Sequence, residues 1–429
     1  MKHLLKRIQT SRLLNNVSWI FFGNVAHAVL KFVLDAVVAR LLSLNDNGML
    51  TYASSLISFV TVFCGFGFSS VITREFVENE ENAGRILCSC MLTQCAAGAV
   101  AIGVIQAMIR IVAPNEPALY PIVFLQSLSS LWGSLGLLVY WFRYKKQAKK
   151  VAIHRLVAFF ICGVIRVAVL CLTDNLVIYV CSSLVESFLF SLFLGATFFK
   201  SYRRSLKYSF PAVKKILKTS YPFIFSALLS MIYAHTDRLM LKSMMDNEAV
   251  ALYSAATHLA VAISIIPSTL IEGFRPEVME MKFKNEALYL KRFRQLYAII
   301  FWTSMAYCLF VTFFAKQIIL IVYSEKYLGA VNSLALVVWY SAFSYFGSIN
   351  NMYMVSEDKS KWVQITTLSG ALCNVILNFL LIPVLGIMGA AAASLLTQFV
   401  ANFAMMWAIK DLRPGFYNMI QGICLRNIR

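Results

Sequence analysis

Apolar residues run through this chain in long, nearly uncharged stretches parted by short polar connections. Twelve such stretches are legible, at roughly 17–39, 49–73, 86–109, 118–142, 152–172, 176–199, 219–241, 249–273, 295–322, 330–355, 362–382 and 385–409. An α-helix needs about 20 apolar residues to cross the hydrocarbon core, and each stretch meets that length. The runs are unbroken rather than alternating at every second position, which argues against a membrane β-barrel. A helix is then the remaining way to satisfy a spanning backbone. The expected fold is an all-α integral membrane protein with about 12 transmembrane helices.

Composition agrees. The 429 residues are 59% hydrophobic and 14% charged, with mean hydropathy +0.71, against about half and a quarter in soluble domains. The net charge of +19 would suggest nucleic acid in a soluble protein, but its distribution assigns it elsewhere. Of the 39 Lys and Arg, thirty fall on one alternating set of connections. These include Arg74, Arg85, Arg143, Lys149, Arg203, Arg204, Lys207, Lys215, Lys282 and Lys359. The opposite set holds Arg40, Arg110, Lys242 and Lys326, and five cations lie within spans. The positive-inside rule then puts both termini in the cytoplasm, and the alternation supports the span count. The basic segment 200–218, with Tyr202, Tyr208 and Phe210, reads either as an interfacial stretch along the headgroups or as a solvated loop with topological duty only. No small-residue cleavage site follows the first apolar run, so the first span is expected to be retained. The ten cysteines sit mostly inside apolar runs without metal-ligand spacing and read as small core residues.

The two halves begin alike. Asp35 is followed by Arg40, Asp46, Asn47 and Tyr52; Asp237 is followed by Lys242, Asp246, Asn247 and Tyr253. An intramembrane Asp, a cation five residues on, an Asp-Asn external turn and a Tyr recur in the same order. Duplicated halves are common in transporters, with substrate at the repeat interface. The expected organisation is a six-helix bundle over 1–210, a second over 211–409 and a cytoplasmic tail over 410–429.

The order of several motifs resembles a known family. NNVSWIFFGNV, VARLLSLNDNGMLTYA and GFGFSSVITREF, ending on Arg74 and Glu75, are similar to the first two spans of Wzx-type polysaccharide flippases. These belong to the multidrug/oligosaccharidyl-lipid/polysaccharide exporter superfamily. The stretch from Glu357 to Phe399, with its Asn-rich helix, Ile-Pro turn and Gly-x-x-Gly-Ala-Ala start of the last helix, is similar to that family's penultimate hairpin. The resemblance covers nearly the whole chain. It implies two pseudo-symmetric six-helix bundles around a central cavity, in the bacterial inner membrane. The implied cargo is an undecaprenyl-diphosphate-linked oligosaccharide, moved by alternating access. Implied partners are membrane lipids, a coupling H+ or Na+ and polysaccharide polymerase machinery, with no nucleic acid, cofactor or metal.

Ionisable groups inside a bilayer usually face a cavity or a partner. They are Lys31, Asp35, Arg155, Arg166 and Glu186 in the first half, and Asp237, Arg238, Glu272 and Lys316 in the second, with Arg275 just past a span end. Cations are in excess, and Arg suits phosphate, so Arg166, Lys31, Arg238, Arg155 and Arg275 are the candidate substrate contacts. Each has a plainer reading. Lys31 and Asp35 are four apart and pair on one helix face; Arg166 pairs with Glu186; Arg155, Arg275 and Lys316 snorkel from span ends. Asp35, Asp237 and Glu272 are the coupling-ion candidates. Asn24, Asn374, Asn378 and Asn402 read as bonds between helices, and Pro222 and Pro267 as sites of bending. Two rivals remain. A multidrug/cation antiporter needs a net acidic chamber, against the cation excess. A polysaccharide polymerase needs a large external loop, and the external connections are short.

Overall fold

The computed structural model describes residues 2–173, 175–202, 208–262 and 264–426, with side chains from Ser18 onward except at 201, 202, 265 and 276. Arg203, Arg204 and Lys207 of the basic segment, and the side chains of Tyr202 and Pro276, lie outside that description. Among the described residues no strand occurs. Eleven helical stretches among the described residues are long and apolar enough to cross a membrane, or twelve if the pair Asn247–Val261 with Ile266–Lys284, bent by 45°, counts as one span. The protein is therefore multi-pass and all-α. The bend lies just before Pro267. Proline is tolerated in the first turn of the second helix, where backbone N–H groups have no partner within the helix in any case.

By tertiary contacts the chain divides into two units, Met1–Leu42 with Ala53–Met231, and Ser43–Tyr52 with Ile232–Arg429. The first unit holds α1 (Lys2–Leu41), most of α2 (Leu44–Gly65), α3 (Phe68–Glu78), α4 (Ala83–Val112), α5 (Leu119–Ser127), α6 (Ser129–Gly133), α7 (Leu138–Tyr144), α8 (Ala148–Leu172), α9 (Leu176–Tyr202) and the start of α10 (Phe210–Met244). Its core includes Phe68, Phe76, Trp141 and Phe198. Trp141 meets Phe76 and Phe198 edge to face at 5.4 and 5.5 Å; such pairs add about 0.5–1.5 kcal/mol each beyond burial.

The division falls inside α10, not at 210/211, and the reason is local. The second span breaks at Gly67, whose φ is +64°, a conformation glycine adopts without penalty. A Cβ there would stand 2.7 Å from the Ser220 carbonyl oxygen. The break seats the first part of α10 on the first unit, helped by the Lys215–Glu75 ion pair at 3.0 Å and the Ser209 amide donating to Ser89 Oγ at 2.8 Å.

The second unit continues with α11 (Asn247–Val261), α12 (Ile265–Lys284), α13 (Glu286–Phe313), α14 (Ala315–Val322), α15 (Val331–Ser356), α16 (Ser360–Leu385), α17 (Ile387–Phe399), α18 (Met405–Ala408) and α19 (Arg413–Ile423). Tyr289, Phe293, Tyr297, Phe346 and Met406 are in its core. Asp246 and Asn285 cap α11 and α13 through their side chains, accepting from Ala249 N at 2.8 Å and Leu288 N at 3.0 Å, as short polar residues do at helix starts. Lys316 falls on α14, after the break at Phe314. The segment read as a tail is not free of the bundle: α19 buries Met419 in this core, and Asn418 Nδ2 donates to the Leu290 carbonyl at 3.2 Å.

The turn Ser43–Tyr52 also belongs here. Ser43 and Asp46 cap the start of α2 reciprocally: Asp46 N donates to Ser43 Oγ at 3.0 Å, and Ser43 Oγ to Asp46 Oδ2 at 2.7 Å. Asn247 Nδ2 donates to Asn45 Oδ1 at 2.9 Å, and Asn47 Nδ2 to the Tyr327 hydroxyl at 2.6 Å. Gly48 lies so close that a Cβ would be 1.8 Å from the Asn247 carbonyl oxygen.

Candidate functional site

In the first unit, Lys31 and Asp35 stand one turn apart on α1 and pair at 2.8 Å, with both side chains partly exposed. Arg166 on α8 reaches Glu186 on α9 at 2.8 Å, with the two side chains only 14% and 21% exposed. The Arg166 guanidinium also donates to the Ser183 carbonyl at 3.1 Å. Lys31 and Asp35 act electrostatically on Glu186, so α1, α8 and α9 gather two cations and two anions. This is the plainer reading of Arg166 and Lys31. Their charges are matched by Asp35 and Glu186, and the cation excess counted along the chain rests in this unit on Arg155.

Arg155 differs. Its Nη1 donates to Asn24 Oδ1 at 3.3 Å and its guanidinium carbon lies 5.3 Å from the Phe190 ring centre. No carboxylate lies within ion-pair distance of it among the described residues.

In the second unit the structure separates Asp237 from its neighbour Arg238. Arg238 reaches α11, donating to Ser254 Oγ at 3.1 Å and Thr257 Oγ1 at 3.2 Å, with no carboxylate partner among the described residues. Asp237 is 6% exposed and turns into the space between α10, α11, α16 and α17. Its Oδ1 accepts from Asn374 Nδ2 at 2.9 Å and Asn378 Nδ2 at 2.7 Å. Its Oδ2 accepts from Ser394 Oγ at 2.6 Å and from the Tyr253 hydroxyl. Four neutral donors therefore surround one buried carboxylate. The Oδ1 atoms of Asn374 and Asn378 are buried with no hydrogen-bond donor. The carboxylate and the two hydroxyl oxygens beside it are the kind of group that takes a hard cation or a proton.

Glu272 and Arg275 grip each other on α12, at 2.6 and 2.9 Å, with Glu272 64% exposed. Among the described residues no group of three or more His, Cys, Asp or Glu is placed to hold a metal ion.

Sequence reading singled out Asp237, and Tyr253 through the repeat, but not their union with Asn374, Asn378 and Ser394. The asparagines do bond between helices, and what they bond is the carboxylate. Their spacing of four on one helix was a signal that both face one way. Ser394 carried none, being one small residue among several in the Gly-Ala-Ala helix.

A family model described as polysaccharide biosynthesis protein matches residues 13–272. The capsular polysaccharide biosynthesis protein CapF of Staphylococcus aureus is 20% identical over 406 residues, covering 93% of this chain and 100% of that protein. Among solved structures, the lipid II flippase MurJ in an inward closed conformation matches with TM-score 0.74 at 13% identity, covering 95% of this chain and 92% of that one. An inward-facing multidrug resistance MATE family transporter of the MOP superfamily matches with TM-score 0.66 at 15% identity, covering 93% and 95%. These likenesses show the fold of the MOP superfamily transporters, with its two lobes.

Proposed function

We propose, from the premise that this chain belongs to the polysaccharide biosynthesis protein family, that it is a flippase for lipid-linked oligosaccharide. The cargo is the undecaprenyl-diphosphate-linked repeat unit, carried from the cytoplasmic to the periplasmic leaflet of the bacterial inner membrane for surface polysaccharide synthesis. Both termini lie in the cytoplasm. The protein acts as a transporter rather than an enzyme, and polymerase machinery receives the cargo on the far side.

One observation carries the preference for an anionic cargo. The ion pairs Lys31–Asp35, Arg166–Glu186 and Arg275–Glu272 neutralise themselves. Arg155 and Arg238 have neutral hydrogen-bond partners instead, and are the guanidiniums free to meet a diphosphate. Asp237, buried among neutral donors, is the proposed coupling site for H+ or Na+. Occupation of Asp237 would rearrange the contacts of α10, α11, α16 and α17 together, coupling the cation to the helices that change in alternating access. A cation antiporter would need carboxylates facing its cargo, and Asp35 and Glu186 are occupied by cations.

The test is deletion of the gene in its host, with extraction of undecaprenyl-linked intermediates from each leaflet. Complete repeat units should accumulate on the cytoplasmic leaflet, be cleared by the wild-type gene, and persist with Arg155→Gln combined with Arg238→Gln. Normal glycan export in the deletion strain, with altered sensitivity to cationic drugs, would refute the flippase reading in favour of the antiporter.

A further inference from the structure

At the span ends that carry the basic connections, α1, α7 and α8 of the first unit line an open cleft. Gly23 lets α1 and α8 pack closely, since a Cβ there would stand 2.7 Å from Ala152 Cβ; Trp19, Asn24, Arg143 and Arg155 supply the chemistry of the lining. Arg143 and Arg155 are the charged groups of the lining. Neither has a carboxylate within ion-pair distance among the described residues, and both are half-buried. Arg155 is tethered by Asn24 at 3.3 Å, and the Arg143 guanidinium carbon lies 5.8 Å from the Tyr140 ring. A third cation, Lys149, stands 5.1 Å from the ring of Trp19 at the same cleft.

Like charges drawn together at the edge of a low-dielectric slab repel unless an anion joins them. Elsewhere in this unit the protein supplies that anion itself, as Glu186 does for Arg166. Here it does not. The cleft holds Trp19 beside the basic connections, a combination enriched at membrane interfaces, where anionic phosphates are abundant. Two guanidiniums present forked donors that match phosphate oxygens.

We propose that this cleft is a binding site for the phosphate of a membrane lipid, with Arg143 and Arg155 as its two forks, Asn24 fixing the second and Trp19 lying against the glycerol or isoprenoid stem. An anionic phospholipid and a polyprenyl diphosphate share this chemistry. The site stands on its own charges; only the polyprenyl source rests on the flippase reading.

The full chain is placed in phosphatidylcholine nanodiscs alone, with phosphatidylglycerol, with undecaprenyl diphosphate, or with inorganic phosphate in the buffer. Thermal unfolding and lipid retention by native mass spectrometry are read for wild type, Arg143→Gln/Arg155→Gln and the charge-keeping Arg143→Lys/Arg155→Lys. Wild type should be stabilised by one or both lipids. The glutamine variant should bind about tenfold more weakly, because charge-assisted hydrogen bonds to the phosphate are lost, and the lysine variant should fall between. A shift with phosphatidylglycerol alone supports the site and names phospholipid as its occupant. A shift with undecaprenyl diphosphate supports it and names the carrier. Equal responses of wild type and the glutamine variant overturn the site, as does a response to inorganic phosphate without one to either lipid. The leaflet assay is read separately, so a failed flippase reading leaves this result standing.

Discussion

Replacing Asp237 by Asn separates the two things the buried carboxylate does. As a hydrogen-bond acceptor it takes four donors, from Asn374, Asn378, Ser394 and Tyr253. As a charge it is the proposed seat of the coupling cation. Asp237→Asn has the same shape and keeps one acceptor. Its new N–H donors can be met by the hydroxyls of Ser394 and Tyr253, which already lie 2.9 Å apart and rotate freely between donor and acceptor roles. The unpartnered oxygens of Asn374 and Asn378 serve equally if those amides turn over. The Asn variant should therefore fold with a stability change within about 1–2 kcal/mol. Asp237→Ala is different, because it strands the two amide donors in a buried site, at about 1–3 kcal/mol each, so about 2–6 kcal/mol in all. The assay is thermal unfolding of purified protein against Na+ concentration and pH, beside glycan export in the deletion strain. Wild type should gain about 2.7 kcal/mol at a cation concentration a hundredfold above its Kd. Asp237→Asn should keep the fold, lose that gain and lose export. If it exports normally and responds to Na+ and pH as wild type does, the coupling role of Asp237 is refuted.

Arg166→Gln should destabilise by about 3–5 kcal/mol, because Glu186 is left charged and unpaired in the span, while Arg166→Gln/Glu186→Gln should recover most of that loss. Denaturant unfolding checks the stability, and normal export by the double variant would show that the pair is structural. Gly48→Ala drives a methyl into the Asn247 carbonyl and should free the turn Ser43–Tyr52. Disulfide trapping of Asn45→Cys with Asn247→Cys, efficient in the parent, should then fail. Between α15 and α16, burial raises the pKa of Glu357, but hydrogen bonds from Lys282 and Tyr289 and the charges of Lys282 and Lys359 outweigh it and hold the carboxyl below its ordinary 4.5. A depressed carboxyl stabilises the fold above its unfolded value, and that contribution is lost as pH falls through the folded value. Glu357→Gln should therefore flatten the loss of thermal stability below about pH 4.5; an unchanged acid limb would refute the assignment.

The number and kind of the elements are legible in the chain because lipid leaves a spanning backbone one inexpensive solution, and hydropathy reports length directly. The bend before Pro267 was legible because proline marks a place where a spanning helix can be interrupted. Pairings within one helix, such as Lys31 with Asp35, are legible because 3.6 residues per turn sets which side chains share a face. Contacts between helices are another matter. Whether Arg166 would meet Glu186 or a cavity, and whether Arg155 would find an anion, depended on how α1, α8 and α9 rotate about their axes, which periodicity does not report in helices apolar on nearly every side. The start of α10 joined the first unit because Gly67 lets two backbones approach. The site at Asp237 needed four helices, with Asn374, Asn378 and Ser394 more than 130 residues away along the chain. A single buried carboxylate marks its own importance in the sequence, since it is expensive in lipid. The donors that make it tolerable are ordinary small polar residues, and only their convergence in the folded protein distinguishes them.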